Sequence, residues 1–407
     1  MAAGTELKPL EGIRVLDLSR VLAGPWATQT LADLGAEVIK VEQPGGGDDT
    51  RHWGPPWHEH GTERVAAYFL AANRGKHSIA IDFSTKEGAA LVAKMAASAD
   101  VVVENFKVGG LAKFGLDATT LRAADPRLIY ASITGFGQDG PYAHRAGYDY
   151  IIQGMGGLMS LTGLPDGEPG GGPMRVGVAV ADLFTGMYTA TAILAALVRR
   201  GVSGEGATID LALFDTQLAM LANQASNALV SGEDPQRQGA GHPNIVPYQW
   251  FDASDQPIIV AVGNDRQFAK LATILGYPKW ASDATFATNS ARVAARQMLV
   301  PKIAEIIGAK SASAWLAAFE EAGIPAGPIN TVLQALADPQ AVHRGAQVTA
   351  GGGALGEVAM VGSPIRLDGR RIDANLPPPA FGEHRGLLSE WIDAEELARL
   401  RSAGIVG

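Results

Sequence analysis

Short apolar runs return again and again through the first third of the chain, each followed by a stretch of helical character. Gly12–Ser19 (GIRVLDLS) reads as a strand, and Ala23–Gly35 as a helix with Pro25 in its first turn and Gly35 as its stop. Ala36–Pro44 is the next strand. Lys76–Phe83, a helix over Lys86–Ser98, Ala99–Phe106, a helix near Asp117–Ala124 and Arg127–Gly137 continue the pattern. Strands that are apolar throughout, separated by helices, belong to a parallel sheet covered on both faces. The expected class is therefore α/β.

The later chain divides less evenly. Small residues from Arg175 lead to Asp182, read as a strand running into a long uncharged helix that ends near Arg200. Gly206–Val230 offers a further strand and a further long helix. Ser231–Gln249 is rich in Gly, Pro and polar residues and marks a boundary. A smaller α/β domain is expected over 231–335, with a strand at Gln256–Asn264 and helices over Asp265–Leu275, Ala291–Ile307 and Ser311–Ala322. Residues 1–230 precede it as the first part of a larger domain, and 336–407 follow with turns, short strands and a last helix near Ala394–Ala403.

Composition narrows the function. A formal net charge of −9 argues against a nucleic-acid binder. With no cysteine, thiolate nucleophiles and cysteine-ligated metals are excluded, and a cytoplasmic location fits. No secretory pattern opens the chain, and Leu183–Val198 is short for a bilayer span, so no membrane partner is expected. His52, His58 and His60 lie near several acids, but no metal-binding spacing appears, so no metal is expected. Neither G-x-G-x-x-G nor a P-loop is present.

Asp182 has two readings. It is an ordinary N-cap, or a carboxylate that helix amides keep ionised and ready to attack an acyl carbon. Gly186 would let a bulky substrate approach. Gly45–Trp53 is a solvated turn or a mobile substrate loop. Asn73–Lys76, Glu104–Gly115 and His144–Tyr150 are each solvated loops, or together a pocket for a phosphorylated nucleotide.

Several stretches in order, among them LEGIRVLDLSRVLAGPWATQTLADLGAEVIKVEQPGGGDDTR, NRGKHSIAIDF, ADVVVENFKVGGLAKFGL, PRLIYASITGFGQDGPYAHRAGYDYIIQGMGGLMSLTG and VGVAVADLFTGMYTATAILAAL, resemble the class III coenzyme A-transferases. These are the relatives of formyl-CoA transferase and carnitine-CoA-transferase. GIPAGPINT and FGEHRGLL are similar to later family marks. The resemblance implies a Rossmann-like large domain built from both chain ends, to which 336–407 returns, a small domain and an interlocked homodimer. It implies acyl-CoA and a carboxylic acid as substrates, with no tightly bound cofactor. VADLFTG matches the motif of the family's nucleophile, which implies that role for Asp182 through mixed-anhydride and aspartyl-CoA intermediates. Succinyl-CoA is the expected donor.

By the same resemblance the CoA contacts fall on Leu22 and Ala23, on Gln43, and on Ile81, Asp82, Phe83 and Ser84. They continue with Asn105, Phe106, Lys107 and Lys113, then Ile133, Thr134, Gly135 and Phe136. Some relatives carry a cation where this chain has Gln43 and Thr134, and Gln where it has Leu22, so Arg74 or Arg145 is expected to supply charge instead. Amides of Gly24, Gly156 or Gly157 are candidates for oxyanion stabilisation. The long glycine-rich loop of formyl-CoA transferases is missing. The rival readings are an α-methylacyl-CoA racemase of the same fold, opposed by Tyr148 standing where those relatives carry His, and a catalytically silent CoA-binding protein.

Overall fold

The computed structural model describes residues 8–374 and 376–407. The chain forms two compact units, one of 1–158, 176–226 and 339–407, the other of 159–175 and 227–338.

The first unit is built on six parallel strands: β1 (Arg14–Asp17), β2 (Glu37–Glu42), β3 (Lys76–Ala80), β4 (Val101–Glu104), β5 (Ile129–Thr134) and β6 (Thr208–Ala212). Their spatial order is β3-β2-β1-β4-β5-β6. Val15 sits in register with Val38 on one side and Val101 on the other. Successive side chains point to opposite faces, and here both faces are packed. Leu16, Ile39, Ile79, Val102 and Tyr130 meet Leu91, Val92 and Met95 of α2 (Lys86–Ala96), together with Leu388, Leu400 and Val406 from the chain's end. Val15, Val38, Val101, Val103 and Ile129 face α1 (Ala23–Asp33) and α5 (Val180–Ser203). Each fully buried strand side chain contributes about 1.5–3 kcal/mol. Further helices of this unit include α3 (Ala118–Ala124), α4 (Asp149–Met155) and α6 (Leu213–Met220).

The strand order reverses direction at β1, between β2 and β4. In an open parallel sheet, the crevice beyond the carboxyl ends at such a point is where ligands bind.

The second unit has a three-stranded antiparallel sheet of β7 (Tyr248–Asp252), β8 (Pro257–Ala261) and β9 (Ala326–Pro328), with β8 central. Phe251, Ile258 and Val260 pack on Phe268 and Leu271 of α7 (Asp265–Ile274). Leu299 and Ile303 of α8 (Arg296–Gly308) and Trp315 and Phe319 of α9 (Ala312–Ala322) complete that core.

Three expectations from the sequence fail locally. Residues 175–179 form no strand, because the Val176 amide donates to the Gln153 side chain and the Val180 amide folds back on Val178 O. The helix after β6 breaks at Ala222, which takes a φ of +45°. The helix expected over Ala291–Ile307 divides at Ala295 into Asn289–Ala294 and α8. The apolar α5 is long and uncharged enough to span a bilayer, yet it directs Ala181, Thr185, Thr189 and Ile193 into the first unit.

Candidate active site

The loops that follow β1, β2, β3 and β4 all leave the same edge of the parallel sheet, and polar contacts tie them together. Asn105 brackets the Arg20 peptide, accepting from its amide at 2.8 Å and donating to its carbonyl at 2.7 Å. Asp48 accepts from the Val21 amide at 3.2 and 3.3 Å. Val21 has a φ of +71°, a left-handed value that is a genuine outlier for a β-branched residue. Gln43 donates to Asp82, which also accepts from the amide and hydroxyl of Ser84. The Ser84 hydroxyl bond, opposed by slight burial and joined by the Gln43 bond, holds the Asp82 carboxyl below the usual range.

Beneath these loops lies a buried charge network. Lys40 donates to Ser19 O at 2.7 Å and pairs with Asp48 at 2.9 Å. Lys76 reaches Asp17 at 3.1 Å, Pro25 O at 2.9 Å and Asn73 at 2.9 Å. Burial alone would raise the Asp17 carboxyl, but Lys76, Lys40 and the Ser19 and Thr28 hydroxyls hold it at about 2. Glu42 receives both Arg51 branches at 2.8 and 2.7 Å and the Ser78 hydroxyl at 2.6 Å. Gly45–Trp53 is therefore not a wholly solvated turn, since Asp48, Thr50 and Arg51 are buried in it. Likewise Asn73–Lys76 is no solvated loop: Asn73, Arg74 and Lys76 are all buried.

Of the positions expected to meet CoA, one group converges. Phe83 stands edge-on to Phe106 at 5.8 Å and to Phe114 at 6.0 Å. Arg20 lies over Phe106 at 5.6 Å and Lys113 over Phe114 at 4.6 Å, while Lys107 is exposed beside them. An aromatic shelf ringed by cations suits a phosphorylated nucleotide. Leu22, Ala23, Ile81, Ile133 and Thr134 are buried, and Ile81 pairs with Val406 across an isolated bridge, so their side chains pack into the interior. Gly135 lies against Gly147, where a Cβ on Gly135 would come within 2.5 Å of the Gly147 Cα. Phe136 meets Tyr142 at 5.5 Å, and the exposed Arg145 stacks on Tyr142 at 4.0 Å.

Arg74 must be removed from the charge-supplying set. Its guanidinium is buried and forked onto Asp33, at 2.8 and 2.5 Å, with a third bond to Val361 O. The amide of Gly156 is likewise consumed by Ile152 O at 2.7 Å, and that of Gly157 lies 3.4 Å from Gly154 O. Gly24 is different, as the second residue of α1, where helix amides lack internal acceptors.

Asp182 is the third residue of α5, not its cap; the cap position is Ala179 and gives no side-chain bond. Asp149, at the start of α4, supplies it instead, accepting from the Ala181 amide at 2.8 Å. The other Asp149 oxygen accepts from Gln153 at 2.7 Å. Among the described residues no cation pairs with Asp182. Burial, then the Asp149 carboxylate, push its carboxyl up to about 7, against the expectation that helix amides keep it ionised. Tyr68 shares this environment: burial, then Asp182, Asp149 and Asp48, raise its phenol. Trp53, half exposed, stands edge-on to Tyr68 at 5.2 Å.

Gly186 follows Asp182 by one helical turn, so both lie on one face of α5. A Cβ on Gly186 would fall 2.7 Å from Ala23 O and 3.0 Å from the Trp26 Cβ. The glycine therefore serves close packing of α5 on α1 and is not an opening for substrate. The same packing turns the Asp182 face of α5 toward the start of α1 and the loop after β1.

Sequence reasoning assigned no individual role to Arg20, Tyr68, Asp149 or Gln153, although Asp149 lies within the His144–Tyr150 stretch. Arg20 directly follows β1, a position that could have flagged it. Asp149 and Gln153 are four residues apart on one helix, but nothing in that spacing reveals that they reach the segment before Asp182.

The chain matches the profile of CoA-transferase family III over residues 10–385. It is 52% identical over 398 residues to the succinate–glutarate CoA-transferase of Agrobacterium fabrum, covering 96% of this chain and 97% of that one. It is 41% identical to the succinyl-CoA:glutarate CoA-transferase of Mus musculus, covering 98% and 91%. A CaiB/BaiF family protein from Brucella suis, known from its crystal structure, superposes with a TM-score of 0.84 at 51% identity, over 95% of this chain and 100% of that one. With the profile matched along nearly its whole length and the fold shared, the chain belongs to CoA-transferase family III and is a CoA-transferase.

Proposed function

We propose that the enzyme moves CoA from succinyl-CoA to a second dicarboxylic acid, with Asp182 as the covalent carrier. The observation that carries this reading is the setting of Asp182: partly buried, paired with no cation among the described residues, its carboxyl raised to about 7 by burial and then by Asp149, and on the helix face that meets the start of α1. A carboxylate whose charge is so little compensated is a strong nucleophile once ionised. The names of the Agrobacterium and mouse relatives support succinyl-CoA as donor and glutarate as a first acceptor to test.

Each step balances. A carboxylate oxygen of Asp182 attacks the thioester carbon, the C–S bond breaks, and CoA leaves as thiolate with a mixed anhydride behind. The thiolate attacks the Asp182 carbonyl, giving aspartyl-CoA and free succinate. The acceptor carboxylate attacks that thioester, releasing thiolate and forming a second anhydride. The thiolate then attacks the acceptor's acyl carbon and restores Asp182. The bond energy of one thioester is carried into the next, so no nucleotide hydrolysis is required. The Phe83–Phe106–Phe114 shelf with Arg20, Lys107 and Lys113 holds the CoA nucleotide, and the first-turn amide of Gly24 is the remaining backbone candidate for oxyanion stabilisation.

A homodimer in the cytoplasm is part of the same reading. Phe184, Met187, Tyr188, Val198 and Val202 leave much of one α5 face exposed in the single chain, which supports association through it.

The test is to mix enzyme with succinyl-CoA, trap with hydroxylamine or borohydride, and map peptides by mass spectrometry. Modification at Asp182 is expected. Full turnover with the label elsewhere, or with none, refutes the carrier role. A panel of acceptor acids read by product mass tests the choice of glutarate independently.

A further inference from the structure

We propose that Gln153 is a positioning residue for Asp182, fixing where that carboxyl and its neighbour Asp149 sit. The inference rests on the carrier role given to Asp182 above.

Gln153 is fully buried in α4, one turn after Asp149. Its carboxamide is used at both ends. Nε2 donates to the second oxygen of Asp149 at 2.7 Å and reaches Val178 O at 3.4 Å, while Oε1 accepts from the Val176 amide at 2.9 Å. The partners fix which end is which, because a carboxylate needs a donor and an amide N–H needs an acceptor. Segment 176–179 has no strand neighbour to hold it. Gln153 pins its start, and Asp149 pins its end through Ala181, one residue before Asp182.

The electrostatic consequence follows from the same bonds. Gln153 thereby holds Asp149 turned toward α5, and the Asp149 charge is, after burial, the second cause that raises Asp182. A buried side chain outside the CoA shelf thus acts on the basicity of the carrier through one intermediary.

Two variants separate this from a structural role. Gln153→Met keeps the volume and loses both bonds; kcat should fall by about a hundredfold, the scale of a small misplacement of a reacting group, while KM for succinyl-CoA stays within about twofold. Gln153→Glu keeps an acceptor for Val176 but sets a third carboxylate beside Asp149 and near Asp182. The acid limb of its kcat/KM profile should move upward by about one pH unit. CoA binding, measured directly, reports whether each variant is folded. The proposal is overturned if Gln153→Met retains kcat, if kcat and CoA binding are lost together in both variants, or if the limb of Gln153→Glu does not move. Adduct mapping on the parent enzyme is run alongside. Labelled Asp182 with indifferent Gln153 variants sinks this inference alone, whereas an unlabelled Asp182 sinks the carrier role itself.

Discussion

Asp149 accepts a hydrogen bond of 2.8 Å from the amide of Ala181 and so closes the first turn of α5 immediately before Asp182. The same carboxylate opposes ionisation of its neighbour. The carrier must be deprotonated to attack, so kcat/KM is expected to rise with pH through about 7, the value at which burial and Asp149 place Asp182. In Asp149→Asn the like charge is gone and burial remains. The acid limb should then move to lower pH. A limb that stays in place in Asp149→Asn would show that Asp149 does not set the ionisation.

Gly186→Ala tests the contact between α5 and α1. Replacing a glycine inside a helix by alanine ordinarily stabilises by about 1 kcal/mol. Here the new Cβ would lie 2.7 Å from a backbone carbonyl, Ala23 O, and overpacking of this kind costs about 1–3 kcal/mol. The clash wins, so thermal unfolding should come at lower temperature. Because Ala23 begins α1 at the mouth of the site, kcat/KM should fall as well. Unchanged melting would mean that α1 moves away freely.

The Asp17–Lys76 pair should govern part of the acid sensitivity. Asp17 has a folded pKa of about 2 against an ordinary value of 3.8. Its depressed value contributes stability that is complete above the unfolded pKa and lost as pH falls through about 2. Asp17→Asn leaves Lys76 buried without its counter-charge, at a cost of about 3–5 kcal/mol near neutrality. Urea unfolding at several pH values should show a lower plateau and a flatter fall between pH 4 and pH 2. A parallel curve, merely displaced, counts against this linkage.

Two arginines give opposite signatures. Arg20 is exposed over Phe106 and paired with Asp49 only at 3.2 Å. Arg20→Ala should raise KM for succinyl-CoA by about tenfold, the value of one charge-assisted phosphate contact, with little change in melting. Arg74→Ala should do the reverse, since it orphans the buried Asp33. Steady-state kinetics beside thermal melts decide the matter, and a KM effect confined to Arg74 would invert the assignment.

The sheet was legible because its strands are apolar on both sides, and the helices because Thr85 and Asp117 announce their starts by capping them. Element bounds from the sequence agree within a few residues through β5. The carrier segment was harder. Residues 175–179 have strand-like composition, but the partners that decide their course, Gln153 and Asp149, lie more than a full element away. Charge was misread for a related reason. Arg74 and Asp48 look like solvated loop residues, and only the fold delivers Asp33 and Lys40 to bury with them. Gly186 looked like room for a ligand because a sequence does not disclose which neighbour fills the space beside a glycine.

Val21 adopts its left-handed backbone while the Asp48 carboxylate grips its amide, and Asp48 is itself anchored to Lys40. Such a conformation survives only where its surroundings over-determine it. The first loop is thus already shaped before a thioester arrives, and docking spends little on ordering it. A substitution at the far end of that chain of contacts, at Lys40, would accordingly be felt as weaker ligand capture by a loop it supports only from beneath, at Ser19 O.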